Sequence, residues 1–359
     1  MQNKIDNRLF LDIHAIQTVP PANINRDDTG SPKTAQYGGV TRARVSSQSW
    51  KRAIRKYFNE NGDLANVGIR SLEIVKYVAN KIIEKDGSIN LEDAMTMADK
   101  TINAAKISTK DQKAKALFFL SDKQAEKLAQ ASIDKVTDKK QLEAILNDDI
   151  SIDIALFGRM VADNTILNED ASSQVAHAIS THAIQSEFDF FTAVDDLAPE
   201  DNAGAGMLGT VEYNSSTLYR YANIALHDFY RQLEDKEETI NATKLFVKSF
   251  VESMPTGKIN TFANQTLPQA VVVSLRSDRP LNMVSAFEEP IKSDNGYVDK
   301  SIEKLFDEYT KYDKILDKPI FTAYLILGET EVNEIGKSES NLNDLLEDLG
   351  DQIEKNIEA

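Results

Sequence analysis

Residues 23–58 read NINRDDTGSPKTAQYGGVTRARVSSQSWKRAIRKYF, and the rest of the chain is organised around this stretch. It holds eight basic residues and two acidic ones, a local balance of +6, whereas the whole protein of 359 residues carries a formal net charge of −16. Positive charge concentrated on an acidic protein predicts a local site for a polyanion. The net negative charge argues against a protein that coats nucleic acid indiscriminately. The basic residues are Arg26, Lys33, Arg42, Arg44, Lys51, Arg52, Arg55 and Lys56.

The end of this stretch predicts an amphipathic helix. Ser46 or Ser47 suits the N-cap, because a hydroxyl there accepts a hydrogen bond from an unpaired first-turn amide. The residues at the spacing of a buried helical stripe are Trp50, Ile54, Tyr57 and Phe58. The residues of the patch on the other side are Gln48, Lys51, Arg52 and Arg55. Such a patch beside a helix N-terminus suits a phosphate backbone, and the alternative is a merely solvated basic face.

The composition narrows the class of protein. An apolar content of 41% suffices for a large core, and the absence of cysteine excludes disulfides and thiolate metal sites. No apolar run approaches the length of a membrane span. We therefore expect a cytoplasmic protein with no membrane partner. No Walker motif occurs, so neither a nucleotide cofactor nor nucleotide hydrolysis is expected.

The order of elements predicts an α+β fold with a helical insertion. A strand at 8–16 precedes a long loop at 20–39 and the basic helix. Proline is absent between 33 and 198, and helical spacing dominates there. The predicted helices are 71–85, 91–102, 122–131, 139–146 and 171–184. Strand-like segments follow at 188–194, 211–224, 269–275 and 320–327, and the first two flank a glycine-rich tip, which predicts a projecting arm.

Several side chains are candidates for chemistry. Asp27–Asp28 and Asp195–Asp196 could hold a divalent metal, although adjacent acids in loops more often shape turns. His177 and His182, five apart on a predicted helix, would point away from each other, which favours structural roles.

Apolar side chains near the arm have two possible roles. Phe188 and Phe190 share a strand face and are expected in the core, whereas Phe191 points the other way and could stack on a base. Met207 and Leu208 interrupt the glycine-rich tip, where a wedge could displace a base or dock on a neighbouring subunit.

Together these motifs resemble the CasC-type backbone subunit of the type I-E CRISPR Cascade complex, in the RAMP superfamily. The first block holds NRDD (25–28), YGG (37–39), RVSSQS (44–49) and KRA (51–53). The second holds DIA (153–155), GRM (158–160), AHAI (176–179), TH (181–182), FTAVDD (191–196) and YRYAN (219–223). Residues 60–150 and the acidic C-terminal end carry no matching motif.

The resemblance implies a hand-shaped α+β protein. Residues 1–60 and 185–359 would form a modified RNA-recognition-motif (ferredoxin-like) palm, residues 61–184 a large helical fingers insertion, and about 193–215 a protruding thumb hairpin. Copies would polymerise head to tail along the CRISPR guide RNA, beside other Cascade subunits, and present the guide to target DNA. The subunit itself would be no enzyme and would need neither cofactor nor metal.

The resemblance also assigns residues to the RNA, and the tip departs from the family in its extra glycines and Pro199. The implied RNA-binding residues are Asn25, Arg26, Lys33, Arg44, Ser46, Ser47, Gln48, Lys51, Arg52, Arg55, Met160, Phe191, Met207 and Leu208. Met160 and Phe191 would pack against bases, and Met207–Leu208 would lie at the thumb tip. Two alternatives stay open: a metal-dependent endoribonuclease using Asp27 or Asp28, and an assembly protein whose basic stretch meets an acidic partner.

Overall fold

The computed structural model describes residues 8–61, 66–194 and 204–357, without the side chains of Val194 and of residues 204–207. The strands are β1 (Phe10–Ala22), β2 (Thr34–Tyr37), β3 (Val40–Val45), β4 (Gly68–Ser71), β5 (Thr109–Lys110), β6 (Lys113–Ala114), β7 (Phe118–Ser121), β8 (Ser173–Val175), β9 (Ala178–Ser180), β10 (Glu187–Val194), β11 (Gly204–Ala225), β12 (Pro268–Arg276), β13 (Phe321–Ile326) and β14 (Lys337–Ser338). The helices are α1 (Ser47–Asn61), α2 (Ile74–Lys85), α3 (Leu91–Ala104), α4 (Asp122–Ile133), α5 (Lys139–Asn147), α6 (Ile152–Phe157), α7 (Leu226–Leu233), α8 (Lys236–Glu252), α9 (Ile259–Phe262), α10 (Val298–Tyr312) and α11 (Leu342–Asn356). Short 3₁₀ turns cover Thr165–Leu167 and Met283–Phe287.

The main sheet is built around β1. Its order is β14-β13-β12-β1-β11-β9-β3-β2, and β8 and β10 also pair with β11. The pairings are antiparallel except for the parallel contact of β14 with β13, and Ile13 faces Ala222 on one side and Val273 on the other. The strands predicted at 8–16, 269–275 and 320–327 are therefore confirmed, the first of them running on to Ala22.

Helices cover both faces of this sheet. Leu11 and Ile13 pack into a cluster with residues of α1, α6, α7, α8 and α11, whereas Ile16 packs with α10 and the Met283–Phe287 turn on the other face. A strand covered on both faces is apolar almost throughout, because each face needs its own core. The structure is thus a mixed α+β fold, as predicted.

The segment between α1 and β8 has a hydrophobic core of its own. Its buried residues come from α2, α3, α4, α5 and β7 together with Val161 and Leu167. The helices predicted at 71–85, 91–102, 122–131 and 139–146 are confirmed to within three residues at each end. Two small two-stranded sheets, β4–β7 and β5–β6, were not predicted, because strands of two to four residues carry too few positions to show a period.

Two predictions of local structure are wrong. The apolar segment 171–184 is not a helix: β8 pairs with β11, and β9 lies between β11 and β3. Its backbone hydrogen bonds go to strands distant in sequence, which outweigh its local periodicity. The predicted loop at 20–39 contains the end of β1, the strand β2 and the turn of a β2–β3 hairpin. That hairpin turns at Gly38 and Gly39, both at positive φ, and Gly38 lies against the carbonyl of Glu288.

β10 and the first half of β11 form a two-stranded arm, named here the β10–β11 arm. Glu187 pairs with Tyr213 and Phe191 with Gly209. The second half of the same long β11 lies in the main sheet beside β1. The predicted strands that flank the tip are therefore present, and the arm is a direct extension of a core strand.

Candidate nucleic-acid interface

Helix α1 places the predicted cations. Trp50, Ile54 and Phe58 are buried as the periodicity predicts, and the Ser46 hydroxyl accepts a hydrogen bond from the Ser49 amide at 3.4 Å, so Ser46 is the N-cap. Tyr57 was expected in the stripe but is only half-buried. Its hydroxyl donates to the carboxylate of Glu252, so the ring keeps its polar end at the edge of the core.

A buried arginine fixes α1 on the sheet. The guanidinium carbon of Arg220 lies 3.7 Å from the centroid of the Trp50 ring and 4.2 Å from that of Phe250. Its nitrogens donate to the Gln17 side-chain oxygen and to the Phe250 carbonyl, both at 2.5 Å. Burial lowers the pKa of Arg220 to about 9. A desolvated cation–π contact is worth about 2 kcal/mol, so the orientation of α1 is firmly set.

The basic residues of α1 line two cavities, one on each flank. Arg52 and Lys56 face a cavity of about 630 Å³ that Arg26, Glu60 and Glu252 also line. Of the cations here Lys56 pairs with Glu60 at 3.3 Å. This flank therefore carries mixed charge.

The other flank is more positive. Lys51 and Arg55 line a cavity of about 440 Å³ between α1 and β4, together with Gln48, Arg70 and Met160. Met160 is 86% exposed, which is high for a large apolar side chain. The sequence did not single out Arg70, which comes from a strand that its pattern does not predict.

A third group of cations lies at the sheet edge. Arg44 donates to the Thr34 carbonyl at 3.0 Å, and its guanidinium lies 3.3 Å from Nδ1 of His177. Partial burial and the charges of Arg44 and Lys33 lower the pKa of His177, so this ring is neutral and can accept from Arg44. The sequence did not predict this contact.

The loop before α1 is tied to the helix N-terminus. The Asn25 side-chain oxygen accepts from the Ser46 amide at 2.8 Å, and the Asn25 carbonyl accepts from the Lys33 amide at 2.9 Å. Ser46, Ser47 and Gln48 therefore lie at one end of α1 beside the loop that carries Arg26 and Lys33. Among the described residues, no carboxylate lies within 4 Å of the cationic groups of Arg26, Lys33, Arg44, Lys51, Arg52 and Arg55.

One of the eight basic residues does not belong to this surface. Arg42 is fully buried, and its guanidinium donates to the carbonyls of Tyr37, Ser180 and Phe287 at 2.8 to 3.1 Å. It joins the β2–β3 hairpin to the neighbouring turn. Counting Arg42 among the cations of the site was therefore wrong, because sequence spacing does not show which face of an edge strand is covered.

The aromatic residues of the β10–β11 arm are exposed. Phe188 and Phe190 are not in the core, contrary to expectation. The described arm is a single layer of two paired strands, and no second layer packs over this face. Phe191 is 41% exposed and lies directly over Gly209. Leu208 is 68% exposed, and the side chain of Met207 lies outside the described residues.

The candidate metal and histidine residues have structural surroundings. Asp27 Oδ1 accepts from the Thr29 amide, the Thr29 hydroxyl and the Ser31 amide at 2.7 to 3.0 Å. The Thr29 hydroxyl contact, above all, lowers the pKa of Asp27. His182 stacks on Tyr297 with ring centroids 3.7 Å apart and accepts from the Thr217 amide, as a structural histidine should.

No cluster of three or more metal-ligating side chains occurs within residues 8–61, 66–193 and 208–357. Asp195 and Asp196 lie outside the described residues. None of the described helices is long and apolar enough to cross a membrane.

Comparisons with known proteins agree with one another. The family model described as "CT1975-like protein" matches residues 11–352. A chain of a solved structure titled "CRISPR RNA-guided surveillance complex, pre-nicking" is 31% identical, with a TM-score of 0.86 over 96% of this chain and 100% of that one. A second, from a "CRISPR RNA-guided surveillance complex", is 25% identical, with a TM-score of 0.75 over 96% and 99%. A search of curated proteins found no match. The protein belongs to the CT1975-like protein family.

Proposed function

We propose that this protein is the guide-RNA-binding backbone subunit of a Cascade surveillance complex, of the CasC type found in type I-E systems. The observation that carries the proposal is the set of cations around α1 that have no carboxylate partner, on a chain whose net charge is −16. Unpaired cations gathered on an acidic protein are the electrostatic footprint of a nucleic-acid site. The two similar solved structures are of CRISPR RNA-guided surveillance complexes, which supports a place for this protein in such a complex.

The parts of the fold have distinct tasks in this proposal. Residues 1–60 and 185–359 form the RNA-recognition-motif-like palm, and residues 61–184 the fingers insertion, in which α2 to α5 have a core separate from that of the main sheet. Residues 193–215 form the thumb. The bound RNA runs along α1, between the palm and the fingers, because cations on both flanks of that helix face solvent there.

The contacts with the bound RNA are mainly electrostatic. The residues that bind phosphates and riboses are Arg26, Lys33, Arg44, Lys51, Arg52 and Arg55. Polar contacts at the helix N-terminus, where free amides favour anions, come from Asn25, Ser46, Ser47 and Gln48. Met160 and Phe191 pack against bases, since every base offers an apolar face. Met207 and Leu208 act at the thumb tip, where they displace a base or contact the next copy.

The assembly is open-ended. A head-to-tail contact between copies produces a filament whose length a bound guide RNA can set. The held guide then pairs with target DNA, and other Cascade subunits flank the filament. The subunit works in the cytoplasm without a cofactor and without catalysing a reaction.

The test reverses charge on α1. Lys51→Glu with Arg52→Glu should abolish the RNA that co-purifies with the assembled complex, because two attractive contacts become repulsive. A matched control reverses Lys76 and Arg279, two exposed cations distant from α1. Circular dichroism checks that both variants fold. Undiminished RNA in the α1 variant would overturn the proposal.

Metal-dependent cleavage of complementary RNA distinguishes the rival function. The assembled complex should leave such RNA intact in Mg²⁺. Cleavage at regular intervals that EDTA abolishes would favour the endoribonuclease instead.

A further inference from the structure

The cavity between α1 and β4 gathers three cations from distant parts of the sequence. A fourth lining residue, Arg159, is buried and donates to the carbonyls of Leu167 and Leu146. Lys51 and Arg55 come from α1, one helical turn apart, and Arg70 comes from β4, across the boundary into the insertion. Arg70 is exposed, and no carboxylate lies within 4 Å of any of the three among the described residues. Nothing in the sequence pattern or the family resemblance assigned Arg70 a role.

Aromatic rings hold two of these cations in place. The Lys51 ammonium lies 5.7 Å from the centroid of Phe157, and the Arg55 guanidinium lies 5.4 Å from that of Phe119. Phe119 pairs with Arg70 across the β4–β7 sheet. Lys51 and Arg55 are thus held by uncharged rings, and strand pairing places Arg70 beside them.

Carboxylates also lie around the cavity. Glu169 and Asp170 line it, and the Glu169 side chain accepts from the Gln232 side-chain amide at 2.6 Å. Asp153 is buried and accepts from the Ser151 hydroxyl at 2.6 Å and the Gly68 amide at 2.9 Å. Burial, and next the charge of Arg70, lower the pKa of Arg55, whereas the charge of Asp153 raises it, so Arg55 and Arg70 repel each other across this cavity.

We propose that this cavity seats one phosphodiester of the bound strand and that Arg70 supplies its third cation. The inference rests on the proposed function and adds a contact from the insertion to those of the helix. A volume of about 440 Å³ lies within the usual range of about 300–1,000 Å³ for ligand pockets. Met160 at the rim meets the base or ribose next to that phosphate.

The experiment removes the charge of Arg70 alone. Arg70→Gln, Arg70→Lys, Lys51→Gln and the matched control Arg279→Gln are compared as full-length chains. Each is titrated with labelled single-stranded oligouridylate between about 50 and 200 mM salt. Arg70→Gln should bind about tenfold more weakly, as the loss of one charged hydrogen bond predicts. The slope of log K against log salt should fall by about 0.7 for the lost phosphate contact.

The variants separate this inference from the proposed function. Arg70→Lys should keep the salt slope, because the charge remains, and Arg279→Gln should match the parent. An Arg70→Gln chain that binds like the parent while Lys51→Gln binds weakly would refute the phosphate site alone. Parental binding by both Arg70→Gln and Lys51→Gln would refute the proposed function as well.

Discussion

A methyl group added at residue 209 should remove the stacking surface of Phe191. A Cβ built on Gly209 would lie 2.8 and 2.9 Å from Cε1 and Cε2 of the Phe191 ring and closer still to Cζ, and real Cβ contacts are essentially never that short. The ring is the free end of a side chain, so in Gly209→Ala it swings off the strand instead of breaking it. The free energy of unfolding should change by no more than about 0.5 kcal/mol, as at other surface positions.

RNA binding should respond far more than stability. Base–aromatic stacking is worth about 1–3 kcal/mol per base, which corresponds to a loss of about 5-fold to 150-fold in affinity. Gly209→Ala should lose about as much as Phe191→Ala, measured by titration with labelled single-stranded RNA. Thr210→Ala is the control, since successive residues of a strand face opposite sides.

A double-mutant cycle tests whether residue 209 acts through residue 191. If it does, adding Gly209→Ala to Phe191→Ala costs almost nothing further, and the coupling energy nearly equals either single effect. Equal losses from Gly209→Ala in the parent and in Phe191→Ala would refute the reasoning. So would parental affinity in Gly209→Ala.

Other perturbations probe the scaffold and the loop. Gly38→Ala should lower the midpoint of urea unfolding well below that of Gly39→Ala, since both positions have positive φ but only Gly38 abuts backbone; equal midpoints would contradict this. Burial lowers the pKa of His14 to about 3, so His14 favours the folded state above pH 6.5 and this contribution is lost as the pH falls toward 3. The free energy of unfolding of His14→Phe should therefore rise relative to that of the parent by about 1.4 kcal/mol per pH unit below 6.5. Asp12 is present in both chains, so its contribution cancels in this difference. A pH-independent difference would contradict the prediction. EDTA should leave the RNA of the purified complex in place. Asp27→Ala should release part of that RNA, because the Asp27 carboxylate accepts three hydrogen bonds within its loop. The absorbance ratio of the complex measures both effects, and RNA loss in EDTA alone would contradict this prediction.

Sequence patterns predicted what is local and missed what tertiary contacts decide. The buried stripe that contains Trp50 follows from spacing within one helix, so it could be predicted. Arg220, which stacks on that ring, lies 170 positions away, and Arg70 reaches the same helix from a four-residue strand. Segment 171–184 looks helical by composition but receives its hydrogen bonds from β3 and β11. Whether Phe188 is buried depends on whether another layer covers the arm, which no local period encodes.

In the proposed function, the division between rigid helix and projecting arm would let one protein hold guides of any sequence. Phosphate contacts fix the position of a strand but carry no information on its bases. The cations of α1 lie on a helix whose orientation the Trp50–Arg220–Phe250 stack sets, so the phosphate positions are fixed by the fold. The arm contributes an aromatic face, which any base can stack on. A site that read base edges would bind few guides tightly, whereas charge on a rigid helix and exposed rings on an arm would bind all guides about equally.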